Sequence, residues 1–461
     1  MLTIYDIDKK FGRRSFLKVG GLTLGGLTLP QLLAAKANAA SGSNLVRDKS
    51  VVFLFLHGGP SQVETFDPKM TAPSNIRSAT GEVSTSLPGI TYGATFERLA
   101  ALADKTSIVR SFRTGDSRHD IKPIVHRDTF NANLGSIYSR IVGQSDANTG
   151  MPTNVALFPR AVDPSTQPAT MQFGKFGSTG ELGTSTAPFV PGGGGDLQKD
   201  MELKLPMDRV TDRRQLLSLL DQVRKDVEGE DSVSRLREQA FSTILGGVAE
   251  AFDLSKEDPK TLARYDTSHI SRPDNISKKW NNYNNYVDNG KTLGKLLLLS
   301  RRLCEAGCGF VTVTTNFVWD MHADVNNAPM TEGMRYMGLP LDYAVSAFIE
   351  DVEARGLTDK ILLVVCGEMG RTPKINAKGG RDHWGNISPL MLSGGGLNMG
   401  QVIGQSTRNV GEPLTEPYDI KHLVSTIMHT LFDISELRIA PGVPNDVARA
   451  LSDWKPIDGL L

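Results

Sequence analysis

Short apolar runs recur along the chain, and each ends in a polar loop. Val51-Val52-Phe53-Leu54-Phe55-Leu56 is continuous, Ser107-Ile108-Val109-Arg110 is shorter, Phe310–Thr315 mixes Val and Thr, and Ile361–Val365 is wholly apolar. Runs of this length and β-branched content predict buried strands. Pro389-Leu390-Met391-Leu392, before Ser393-Gly394-Gly395-Gly396, predicts another short strand and turn. Between the runs the apolar spacing switches to helical. Ala94–Ala103, Leu293–Cys304, Leu341–Ala354 and Ile420–Leu431 carry apolar stripes, with Gly307 and Gly356 as stops and Asp419 as a cap. Ile121–Asn131 is also expected to be helical. Residues 150–200 are rich in Pro, Gly and Thr, with Gly192–Gly195 as a joint, and read as irregular surface or a site lid. Stripes at Leu216, Leu217, Leu220 and Val223, then Val233, Leu236, Ala240, Ile244 and Val248, mark residues 201–289 as a helical insertion. Strands alternating with helices make this an α/β chain.

The first residues read differently. Arg13-Arg14-Ser15-Phe16-Leu17-Lys18 is a twin-arginine pattern, followed by a Gly-rich apolar run to about Leu33 and a small-residue exit at Ala37-Asn38-Ala39. This order predicts an export signal over residues 1–39, recognised by the twin-arginine machinery and cut near Ala39. The apolar run is shorter than the roughly 20 residues of a membrane span. Periplasmic or secreted protein is expected, with the α/β domain over residues 40–461. Formal net charge is 0, from 51 basic and 51 acidic residues, so nucleic acid is not an expected partner. The 3 cysteines, Cys304, Cys308 and Cys366, give no disulfide framework.

The candidate chemistry sits just past the predicted strand ends, where open α/β sheets place their sites. His57-Gly58-Gly59-Pro60-Ser61 follows the first run, and His57 stands where a first metal ligand is expected. Thr114, Ser117, Arg118 and His119 follow the second, offering Thr114 or Ser117 as nucleophile and His119 as ligand or base. The plainer reading makes that loop a set of helix caps. Asp320 and His322 follow the third, two residues apart and so on one side of an extended segment. Glu368, Arg371, Lys374, Asp382 and His383 follow the fourth.

Five stretches carry a family resemblance: LFLHGGPSQVETFDPK, SIVRSFRTGDSRHD, WDMH, GEMGRTPKINAKGGRDHW and YDIKHLVSTIMHTLFDI. With them the chain resembles the DUF1501 family, within the alkaline phosphatase/sulfatase-like superfamily. The resemblance implies a large, mostly parallel sheet sandwiched between helices. It also implies one or two divalent metal ions, zinc, manganese or calcium. By position, His57 matches the first strand-end aspartate of those enzymes, and the Ser111–His119 loop matches their nucleophile. Asp320 and His322 match the central ligands, Glu368 the late aspartate, and His383 the final histidine. Met369 departs from that pattern, standing where a histidine often follows. No cysteine lies near Thr114–His119, so formylglycine cannot form from cysteine there.

These readings converge on an exported metallo-hydrolase of phosphate, phosphonate or sulfate esters, acting on an anionic small-molecule or glycan ester. His57, Asp320, His322, Glu368, Asp382 and His383 form a mixed nitrogen and oxygen ligand set, suited to zinc or manganese. Arg371 and Arg118 are expected to clamp the anion, with Ser61 and Lys374 nearby. The alternative is a non-catalytic binding or assembly module on the same fold. A phosphomutase-like transferase is a third, less fitting option.

Overall fold

The computed structural model describes residues 4–6, 9–11, 45–146, 149–191, 248–439 and 443–461. Arg13-Arg14, the Ala37–Ala39 exit, Gly192–Gly195 and the helical stripes at 201–247 lie outside the described residues.

Two compact units are present, Met1–Arg47 with Phe432–Ser452, and Asp48–Leu431 with Asp453–Leu461. In the first, Ile4–Asp6 pairs antiparallel with Lys9–Phe11, and Val46 bridges Phe432. Its short helix Ile434–Leu437 is capped by the Asp433 carboxylate.

The second unit holds the 7-stranded sheet. Its strands are β1 (Ser50–Phe55), β2 (Ser107–Val109), β3 (Asn154–Leu157), β4 (Phe310–Thr314), β5 (Ile361–Cys366), β6 (Leu390–Gly394) and β7 (Gln401–Ile403). They lie in the order β7-β2-β6-β5-β1-β4-β3. All run parallel except β6, which is antiparallel to both neighbours. β1 is central, and Val51–Phe55 are wholly buried on both faces, as its unbroken apolar run requires.

Four longer helices flank the sheet: α1 (Leu134–Val142), α2 (Tyr283–Glu305), α3 (Met330–Ala354) and α4 (Ile420–Leu431). Val52, Leu54, Val311, Val313, Leu363 and Val365 share one core cluster with buried residues of α2 and α3. Side chains alternate along a strand, so Val51, Phe53 and Phe55 face the other way. There α1 packs on β3 and β4, and α4 on β1. The result is a large, mostly parallel sheet between helices.

Three elements differ from expectation. Ile121–Asn131 is not a helix: only a 3-10 turn forms at Arg127–Thr129, and α1 starts after Asn133, whose side chain accepts from Gly135 N. Pro123 supplies no backbone donor there, and no helix N-terminus faces the loop at Ile121. β3 lies within the stretch read as irregular, at the sheet edge. Both α2 and α3 begin about ten residues earlier than their apolar stripes suggest. No helix among the described residues is long and apolar enough to cross a membrane.

Candidate metal centre

Four loops meet past the C-terminal ends of β1, β2, β4 and β5. Backbone contacts stitch two of them first. The carbonyl of His57 accepts from Val318 N and Trp319 N, both at 3.1 Å. Gly58 makes this approach possible: its φ is +117°, and a Cβ there would lie 2.6 Å from the backbone nitrogens of Trp319 and Asp320. Only glycine fits both conditions.

Asp320 is the hub of the side-chain cluster. Its Oδ1 lies 3.2 Å from His119 Nε2 and 3.1 Å from His383 Nε2, and those two nitrogens are 2.8 Å apart. Its Oδ2 is 2.9 Å from His322 Nε2. Behind it, Arg371 Nη2 donates to Oδ1 at 2.6 Å. Burial alone would raise the Asp320 pKa, but Arg371 and the three histidines pull it well below the usual carboxylate range. Burial likewise works against charge on His119, yet Asp320 and Glu368 outweigh it and raise that pKa. The hydrogen bond that His322 donates to Asp320 raises the pKa of His322.

Glu368 takes a different place from the one expected of a ligand. Its Oε1 is 2.9 Å from His119 Nδ1, on the opposite side of the ring from His383. It also accepts from Gly58 N at 2.9 Å. A carboxylate on the outer nitrogen of a histidine fixes the tautomer and turns the other nitrogen's lone pair inward. His119 therefore presents Nε2, and the three converging atoms are His119 Nε2, His383 Nε2 and Asp320 Oδ1. Tetrahedral zinc with bonds of 2.0–2.1 Å to nitrogen would set its ligand atoms about 3.3 Å apart. The three atoms here are separated by 2.8–3.2 Å, so the donor set fits such an ion with a slight opening. His383 is 34% exposed, which leaves that side of the triangle open to solvent.

Several expected site residues stand elsewhere. His57 is buried among Phe55, Phe173, Phe176 and Phe317, with Nε2 unpaired, and burial holds its pKa down at about 4. It is not one of the three converging residues. Asp382 is exposed and accepts from Asn376 at 3.1 Å. Thr114 is buried and lines a separate polar cleft with Asp128 and Asp419. Ser117, Arg118 and Lys374 are exposed. Ser61 is buried and accepts from Glu64 N at 3.3 Å, a local turn bond.

Arg371 is not free to clamp an anion. It is wholly buried, with Nε on the Gly59 carbonyl at 2.8 Å, Nη1 on the Arg381 carbonyl at 3.2 Å, and Nη2 on the Gly58 carbonyl as well as Asp320. Arg381 is buried too, donating from Nε and Nη2 to Glu64 Oε1 at 3.0 and 2.8 Å. The two arginines of the GRTPK and GRDHW stretches thus tie the loops together. An aromatic wall also went unforeseen: Phe317 and Phe173 stand 4.7 and 5.3 Å from the His119 ring, centre to centre. Isolated phenylalanines in loops carry no sequence signal for such a role.

A family model described as a protein of unknown function, DUF1501, matches residues 48–439. The chain belongs to the DUF1501 family. No curated protein matches this DUF1501 chain. Among solved structures it is similar to Ps i-CgsB at 10% identity and a TM-score of 0.34, over 89% of this chain and 78% of that one. It is similar to the phosphonate monoester hydrolase SpPMH from Silicibacter pomeroyi at 12% and 0.32, over 89% and 76%. The PsFucS1 sulfatase from Pseudoalteromonas sp. matches at 11% and 0.32, over 92% and 76%.

Proposed function

We propose that this DUF1501 protein is a metal-dependent hydrolase of phosphate, phosphonate or sulfate esters, with one divalent cation, zinc or manganese, held by His119, Asp320 and His383. The observation that carries the reading is the convergence of two imidazole nitrogens and one carboxylate oxygen within 3.2 Å. When bound, the cation supplies Lewis acidity toward an ester oxygen. The chain's own residues do the rest. Glu368 holds His119 in one tautomer, and Arg371 holds Asp320 ionised and in place. Phe173 and Phe317 exclude water from one side of His119. His322, 2.9 Å from the second oxygen of Asp320 and partly open to solvent, is the candidate proton carrier.

Export is part of the proposal, on the strength of the Arg13-Arg14 pattern and the Ala37-Asn38-Ala39 exit. The substrate is then an ester met outside the cytoplasm.

A second reading, a non-catalytic binding module, is favoured by one observation. Thr114 lines a separate cleft and Arg371 is engaged by the Gly59 carbonyl and Asp320, so neither that nucleophile candidate nor that anion clamp is in place. The test is metal analysis of protein purified from the periplasm, with assays on aryl phosphate, phosphonate monoester, phosphodiester and sulfate. One equivalent of metal and chelator-sensitive turnover, both lost in Asp320→Ala, are expected. Absence of metal in the wild type together with inert substrates would sink the hydrolase proposal.

A further inference from the structure

We infer that Lys122 is a positioning residue for His119, an assignment that rests on the metal-site reading above. Lys122 is wholly buried. Its ammonium donates to Asp116 Oδ1 at 2.8 Å, to Asp120 Oδ1 at 2.7 Å and to the Arg118 carbonyl at 2.9 Å. An ammonium has three donors, so every one is used.

The acceptors lie on both sides of His119 in sequence. The ammonium thereby closes the chain from Asp116 to Asp120 into a ring, with His119 as a member. The ring rests directly on the segment that carries His383. A Cβ on Gly385 would lie 2.3 Å from the backbone C and O of Asp116, and Gly115 N donates to the Gly385 carbonyl at 3.0 Å. Fixing the ring therefore fixes His119 against His383.

A purely structural role accounts for less of this. Asp116 and Asp120 each keep 44% of their side chains exposed, so water could satisfy both without a buried cation. Taking an ammonium out of water is costly. What it provides here, and water would not, is one rigid joint among three acceptors. Geometry of this kind matters most where a ligand atom must be held within a fraction of an ångström.

The test uses Lys122→Met, which removes the charge with little change in volume, and Asp120→Asn, which keeps the lysine and weakens one arm. Two readouts are compared with the wild type. The first is the ring-nitrogen NMR signal of His119 in metal-free protein, assigned by its absence in His119→Ala. The second is zinc affinity by calorimetry. At a pH high enough for the His119 ring to be neutral, the wild type is expected to show one fixed tautomer, protonated on Nδ1 toward Glu368. In Lys122→Met that signal is expected to average between tautomers, and zinc affinity to fall about tenfold. Asp120→Asn is expected to move both the same way by less, and it carries the test if Lys122→Met does not fold. An unchanged His119 signal in a folded variant overturns the assignment. If the wild type binds no zinc, the metal reading falls separately, and the ring signal alone decides the role of Lys122.

Discussion

Arg371 and Asp320 show how one ion pair can organise a set of loops. A guanidinium is planar and offers five donors, so it can tie a carboxylate and several carbonyls at once, which lysine cannot. Removing it would leave Asp320 buried without its cation. Arg371→Met is expected to cost about 3–5 kcal/mol, read by urea unfolding at neutral pH, and Arg371→Lys should not restore it. A loss well under 1 kcal/mol would mean that the loops are held by other contacts. The sequence shows polar residues past each strand end, and it picks out Asp320, His119 and His383. It does not show which of several acids turns inward. Asp382 and Asp320 are alike in type and place, yet one is exposed and the other buried under Arg371. That outcome depends on the path of each loop. Three of the partners of Arg371, Gly58, Gly59 and Asp320, are distant in sequence and carry no local mark.

Between α2 and α3 a second buried network does similar work for the fold. Arg301 lies 2.6 Å from Glu257 and 3.0 Å from Asp351, and the Tyr265 hydroxyl donates to Asp351 at 3.0 Å. Arg301→Met is expected to destabilise by about 1.5–3 kcal/mol, because Glu257 and Asp351 lose their most buried partner while the more exposed Arg302 and Arg355 remain within 3.1 Å of them. The pH dependence has a definite sign. Burial opposes the charge on Glu257, but Arg301 and Arg302 outweigh it and hold its pKa below the ordinary value. Its stabilisation is therefore present above the unfolded pKa of about 4.3 and is lost as pH falls through the folded value. Glu257→Gln should flatten the acid limb of a stability profile; an unaltered limb would remove Glu257 from the account. Strands β1, β4 and β5 were legible because buried parallel strands are continuous apolar runs. The continuity of α2 from Tyr283 into the stripe that starts at Leu293 was not, because Asn285, Asn289 and Gly290 are poor helix formers. Packing overrides propensity there: a Cβ on Gly294 would lie 1.7 Å from the Tyr265 carbonyl, so only glycine lets that loop close on the helix. Pro340 hid the front of α3, since it reads as a break yet sits inside the helix.

Taken as a whole, the second unit uses one sheet for two purposes. Its interior is apolar on both faces, and one end gathers histidines and acids from loops more than 200 residues apart along the chain. The α/β class and the placing of the site at the strand ends follow from pattern. The single reversed strand, β6, does not, because a run of five buried residues has no direction. The central claim is that a cation sits between His119, Asp320 and His383. The most direct measurement is anomalous diffraction at the zinc or manganese edge from crystals grown with that metal. The account predicts one strong peak about 2.0–2.2 Å from His119 Nε2, His383 Nε2 and Asp320 Oδ1. A map with no peak there, or with its metal bound only elsewhere on the protein, would contradict it.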